Sequence, residues 1–215
     1  MLEIFISGGP VMYPLLLCSL LSLTVIIERA LFWAMVGMRS NQKLIDKVMV
    51  LCQTGDWEGI RKIASGSKSY VIRILISGIL HRDYSMVKAM ETAAADEVAR
   101  MRRFMGILDT IITVAPLLGI FGTVLGIISS FDMLGGGGID HPETVTKGIA
   151  QALITTATGL GIAIFTVFPY NYFNARIDRA VRFIEKYATS LEIIYEKIIA
   201  PTLTDRFKGE DIHES

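Results

Sequence analysis

The chain has 215 residues, 52% of them hydrophobic, and a mean hydropathy of +0.49, too apolar for an ordinary soluble domain. Lys plus Arg and Asp plus Glu balance at 21 each, so no overall field directs the chain to nucleic acid. Two cysteines are too few for a disulfide framework, and the three histidines are scattered without zinc-site spacing, so no metal or cofactor is expected.

The first apolar run covers Val11 to Ile27, closes with Glu28-Arg29 and resumes from Ala30 to Val36. It lacks a basic leader and a small-residue cleavage site, so residues 1–36 are expected to hold a retained transmembrane helix and not a removed signal peptide. Glu28 and Arg29 are expected to anchor its inner end at the cytoplasmic surface.

The polar region 37–108 follows. Helical spacing predicts short helices near Gln42–Cys52, Trp57–Ala64 and Tyr70–Leu80, the last with Val71, Ile74, Leu75, Gly78 and Ile79 on one face. Asp83-Tyr84-Ser85 reads as a helix start. From there Val87, Met90, Ala94, Val98, Met101, Met105 and Leu108 form an apolar stripe. No proline separates that stripe from the next span, so one long rod is expected to project below the membrane.

Thr110 to Phe131 and Gly148 to Ala175 are uncharged and rich in Gly, Ala, Ser and Thr. Each is long enough to cross a bilayer, which takes about 20 residues. The spans are placed at 109–134 and 148–175, with a loop at 135–147 between them. Pro169 is expected to kink the last helix. Beyond it Ile177, Val181, Ile184, Ala188, Leu191, Tyr195 and Ile198 alternate by four and three, a seam-forming repeat. At about 1.5 Å per residue the run from Thr146 to Ile199 reaches roughly 80 Å. The two cytoplasmic stripes are expected to pack on each other, and Thr202 to Ser215 to form a polar tail within the cytoplasmic segment 176–215.

Orientation follows from the basic residues. Region 37–108 carries 12 of them and the stretch after Ala175 carries seven, against one between Gly135 and Lys147 and none in the first ten residues. The N-terminus and the loop are therefore expected outside and the C-terminus in the cytoplasm.

On a helical projection of the second span, Ala115, Pro116, Gly119, Gly122, Thr123, Gly126, Ser129 and Ser130 share one arc of about 140°, and every bulky residue lies opposite. In the third span Gly148, Ala152, Thr156, Gly159 and Ala163 form one stripe and Gln151, Thr155 and Thr158 a second. Gly119, Gly122, Gly126 and Gly159 suit close helix packing. Thr123, Gln151, Thr155, Thr156 and Thr158 put hydrogen-bonding groups at membrane depth, where Gln151 needs a polar partner or water. Tight packing alone, a polar-lined passage and a docking surface for a partner's polar helix each account for these faces. No Asp, Glu, Lys, Arg or His lies inside any span; Asp109 and Asp132 stand at the ends of the second and read as interfacial charges. A proton relay in the membrane would need a carboxylate lent by another chain.

The segments Ala115-Pro-Leu-Leu-Gly-Ile-Phe-Gly-Thr-Val-Leu-Gly-Ile-Ile and Gly148-Ile-Ala-Gln-Ala-Leu-Ile-Thr-Thr-Ala-Thr-Gly-Leu resemble the MotA/TolQ/ExbB proton channel family, in its three-span ExbB/TolQ branch. Glu28-Arg29 and the Glu97–Arg103 region support the likeness. It implies an all-α membrane protein with three transmembrane helices, the second and third extended into a cytoplasmic bundle, assembled as a pentamer in the bacterial inner membrane with a periplasmic N-terminus. It further implies an ExbD- or TolR-like partner whose membrane Asp takes up protons, and a TonB- or TolA-like protein that receives the energy. By resemblance Thr123 and Thr156 line the pore. Gln151 stands where some ExbB proteins carry Glu, and the family's Ile-Pro-Ala stretch reads Ile164-Phe165-Thr166 here, with Pro169 further on. The competing expectation is a passive scaffold whose small faces only cement an oligomer. An enzyme is not expected, because no nucleophile–base, acid pair or metal cluster stands at the membrane.

Overall fold

The computed structural model describes residues 8–39, 42–67, 69–82, 84–137 and 142–198. Every element among them is a helix: α1 (Met12–Arg39), α2 (Gln42–Thr54), α3 (Trp57–Gly66), α4 (Tyr70–Leu80), α5 (Met86–Arg102), α6 (Met105–Gly137) and α7 (Pro142–Ile198). Three helical stretches are long and apolar enough to cross a membrane, lying within Met12–Gly37, Met86–Asp132 and Thr146–Lys197. The chain divides into two compact units.

The first unit takes α1 as far as Leu31, α6, and α7 as far as Asn174. Its apolar centre joins Val11, Met12 and Leu15 to Ile111 and Ala115. The bulky faces of its helices stay exposed, as Leu16 and Leu20 on α1, Phe121 and Ile128 on α6, and Leu153 and Phe165 on α7 show. Apolar side chains turned outward along a spanning helix are what an acyl-chain solvent permits.

The second unit takes α1 from Phe32, all of α2 to α5, and α7 from Ala175. Its core gathers Ile45, Val48 and Cys52 of α2, Ile60 of α3, five apolar residues of α4 and Ile184, Tyr187 and Leu191 of α7. Burial in this core pushes the Cys52 thiol up to about 11. The α4 face of Val71, Ile74, Leu75, Gly78 and Ile79 is wholly buried. At Gly78 an added Cβ would lie 2.5 Å from Met90 Cγ, so a glycine lets α4 and α5 approach closely. Arg73 clamps Glu97 across these two helices, through Nε–Oε1 at 2.9 Å and Nη2–Oε2 at 2.7 Å. Gln42 Nε2 donates to the Tyr187 hydroxyl at 2.6 Å, and Tyr195 donates to the Arg82 carbonyl at 3.2 Å. Val98 of α5 and Ala188 of α7 both pack against this one core. Val87, assigned to the α5 stripe from spacing, is exposed, and Met86 is buried in its place.

Two expectations are corrected. The rod through α5 and α6 is not continuous: it is interrupted at Arg103 and Phe104, where Phe104 adopts φ 64°. A non-glycine residue in that region costs about 1 kcal/mol or more and persists only where surroundings hold it. Here the guanidinium of Arg103 lies 4.6 Å and that of Arg29 5.8 Å from the Phe104 ring centroid. The loop placed at 135–147 is also shorter, because α6 runs to Gly137 and α7 begins at Pro142. Proline at the first helical position is pre-set for a helix start. α7 passes through Pro169 as one assigned helix, although the ring leaves the Phe165 carbonyl without its usual i+4 donor. Arg29 is only 2% exposed and bonds Glu28 through both its Nε and Nη2. The segments 1–7 and 199–215, including the tail from Thr202, lie outside the described residues.

Candidate functional site: the α6–α7 seam

Small residues on α6 and α7 meet along one seam within the first unit. A Cβ built on Gly119 would stand 3.0 Å from the Thr155 carbonyl, and one on Gly126 would stand 2.9 Å from the Gly148 carbonyl. At Gly122 the obstacle is the Thr155 side chain, 2.6 Å away at Oγ1, and at Gly159 it is the Ala115 carbonyl at 2.4 Å. Three of the four glycines thus face backbone of the opposite helix, which leaves no room for any side chain. Ala152 and Thr155 are each 1% exposed in this contact.

Thr123 and Thr156 meet across the seam, their hydroxyls in direct hydrogen-bond contact. Thr123 Oγ1 also lies 3.0 Å from the Ala152 carbonyl and 3.2 Å from that of Gly119, while Thr156 Oγ1 lies 3.0 Å from Gly119 O. Each hydroxyl has one proton to donate. Two arrangements therefore satisfy the pair. In one, Thr156 donates to Thr123, which donates to the Ala152 carbonyl. In the other, Thr123 donates to Thr156, which donates to the Gly119 carbonyl. Moving between them needs only rotation of two hydroxyls, and it reverses the local dipole. Both side chains are half-buried, so the pair lies at the edge of the seam and is not sealed inside it.

The remaining polar groups are mostly held by their own helix. Thr155 donates to Ala152 O at 2.8 Å, Thr158 to Ile154 O at 2.8 Å and Ser130 to Gly126 O at 2.9 Å. The Gln151 side chain reaches towards the N-terminal end of the first helix. It packs on the turn before α1, where a Cβ on Gly9 would fall 2.0 Å from Gln151 Nε2. Gly9 has φ 70°, so its glycine serves both the backbone turn and the approach of the amide. Spacing within the third span gives no sign of this contact, because its partner lies more than a hundred residues away. The adjacent pair Gly8-Gly9 ahead of an apolar run was the available signal.

Asp109 and Asp132 are exposed at opposite ends of the second span's uncharged stretch. Among the described residues no three His, Cys, Asp or Glu side chains gather as a metal site would require. The seam can pass a hydrogen bond from one hydroxyl to the next, but it contains no group that gains or loses a proton near neutral pH.

The described residues thus form an all-α, multi-pass membrane protein with a hydroxyl pair in a glycine seam. Residues 67–186 match the model of the MotA/TolQ/ExbB proton channel family, and the chain belongs to that family. It is 37% identical over 205 residues to the biopolymer transport protein ExbB-like 1 of Synechocystis sp., covering 92% of this chain and 80% of that protein. ExbB-like 3 of the same organism is 34% identical over 89% of this chain and 93% of its own length. The Tol-Pal system protein TolQ of Haemophilus influenzae is 36% identical over 109 residues, 49% of this chain and 48% of that protein.

Proposed function

We propose that this chain is the ExbB/TolQ-like subunit of a proton-driven motor in the bacterial inner membrane. It would work as a pentamer, with the N-terminus periplasmic and the C-terminus cytoplasmic. An ExbD/TolR-like single-span partner would bring the membrane Asp that titrates, and a TonB/TolA-type protein would receive the work. Thr123 and Thr156 would face that Asp, with Gln151 further along the pathway.

The observation that carries this proposal is the Thr123–Thr156 pair, which has two donor arrangements of equal bond count. A hydroxyl that can donate or accept meets a carboxylate in either protonation state. A passing Asp can therefore be bonded while charged and again after protonation, with no charged residue supplied by this chain. The mutual satisfaction of both hydroxyls also suits a passive scaffold, so the test must read flux. The full chain and its single-span partner are co-expressed and reconstituted in vesicles, and proton entry down a pH gradient is followed. Thr156→Val keeps the volume and removes the hydroxyl, and Thr156→Ser restores it. Flux is expected to fall at least tenfold in the first and to recover in the second. Unaltered flux in Thr156→Val, with the assembly intact, refutes the pathway role. No flux in the unmodified assembly favours the scaffold.

A further inference from the structure

The second unit contains a cleft of about 270 Å³ among the inner end of α1, the start of α4 and α7, bordered by Trp33, Gln42, Tyr70, Arg176, Arg179 and Phe183. Its charged lining is two arginines, with no carboxylate. Arg176 lies with its guanidinium 5.8 Å from the Trp33 ring centroid. Arg179 Nε donates to the Ala175 carbonyl at 3.1 Å, which holds its guanidinium along its own helix. Tyr70 is the first residue of α4, and burial pushes its hydroxyl pKa up, so it remains a neutral donor. Tyr70, at the positive end of that helix, thus borders the same cleft as the two arginines.

Two further donors in this neighbourhood have no acceptor. Trp33 is 6% exposed and its indole Nε1 is buried without a hydrogen-bond partner among the described residues. Ser69, the N-cap of α4, is 3% exposed; its Oγ is likewise unpartnered and makes no cap bond. A buried donor left without an acceptor costs about 1–3 kcal/mol. Trp33 borders the cleft, so its ring senses what enters there. The membrane edge sets the source of that anion. The first candidate span ends at Gly37, which lines the cleft, and Arg176 is the first charged residue after the uncharged run that ends at Ala175. The volume is below the ~300–1,000 Å³ of sites that enclose a whole drug-sized ligand. It suits one headgroup whose chains remain in lipid.

We propose that this cleft binds a phosphate-ester anion at the membrane boundary, the headgroup of an anionic phospholipid. Arg176 and Arg179 contact the phosphate oxygens, with the Trp33 ring at the border of the site. The test uses the full chain in detergent, in a Trp57→Phe background that leaves Trp33 as its sole tryptophan. Short-chain phosphatidylglycerol, short-chain phosphatidylcholine and inorganic phosphate are titrated separately while Trp33 emission is read. Phosphatidylglycerol is expected to saturate the change at a concentration at least tenfold below phosphatidylcholine. Arg179→Gln is expected to raise that concentration about tenfold without altering the melting temperature of the lipid-free protein, because Arg179 is exposed. Arg176→Gln should do the same, and Arg179→Lys should recover part of the loss. An arginine-dependent response to inorganic phosphate that matches phosphatidylglycerol supports the anion site but assigns it to free phosphate. Equal saturation by the two lipids with no effect of inorganic phosphate, or indifference to both Gln variants, overturns the proposal.

Discussion

Gly159→Ala tests the seam most directly, because the obstacle to the added methyl is backbone. Its Cβ would lie 2.4 Å from the Ala115 carbonyl oxygen and 3.1 Å from Gly119 Cα. The first distance is roughly 1 Å inside the ~3.5 Å at which non-bonded heavy atoms rest. No rotamer of α6 relieves a clash with its own main chain, so the two helices must separate by roughly that amount. One turn away, the Thr156–Gly119 O bond of 3.0 Å would lengthen to roughly 4 Å, out of hydrogen-bond range. The Thr123–Ala152 O bond of 3.0 Å crosses the same seam and would stretch with it. Overpacking costs about 1–3 kcal/mol, and each intramembrane hydrogen bond contributes about 0.6 kcal/mol. The sum is about 2–4 kcal/mol. At about 2–4 °C per kcal/mol for a chain of this size, the melting temperature in detergent should fall by roughly 5–15 °C. Gly161→Ala is the control: two residues along the same helix, it has nothing within 4 Å of the built Cβ. There the only change is the helix propensity of alanine, worth up to about 1 kcal/mol in its favour. Wild-type stability in Gly159→Ala, or an equal loss in Gly161→Ala, refutes the backbone-contact argument.

The buried Cys52 thiol makes the second unit sensitive to alkali. Its folded pKa of about 11 stands above the ordinary value of 9.0, so the native state keeps a proton that the unfolded chain sheds. Stability from this group is whole below pH 9 and is lost as the pH rises towards 11, by about 2–3 kcal/mol. Denaturant unfolding at both pH values should show that increment in the parent and not in Cys52→Ala; the same pH dependence in both would discount it. At Phe104, with φ 64°, Phe104→Gly should be more stable than Phe104→Ala by about 1 kcal/mol. Alanine is ordinarily the better helix residue, so a paired thermal melt with alanine ahead would show that the backbone there is not strained.

The spans and their small faces were legible from composition and helical period. Lipid tolerates only segments whose backbone bonds are closed within the helix, and that requirement is local. The Gly119, Gly122, Gly126 and Gly159 positions announce close packing because glycine in a spanning helix is otherwise a cost. The α4 face from Val71 to Ile79 was equally readable, since its period of three and four survives burial unchanged. What tertiary structure alone decided is where those faces turn. Thr123 and Thr156 lie on different helices, 33 positions apart, and no period within one segment states that their hydroxyls touch. Neither residue of the break, Arg103 or Phe104, is glycine or proline; two arginines beside one ring, including the buried Arg29 from another helix, accompany it. Gln151 likewise found its neighbour at Gly9, far away along the chain. Periodicity describes a helix against an averaged surrounding, whereas a contact between two helices depends on both their rotations, which only the packed molecule sets.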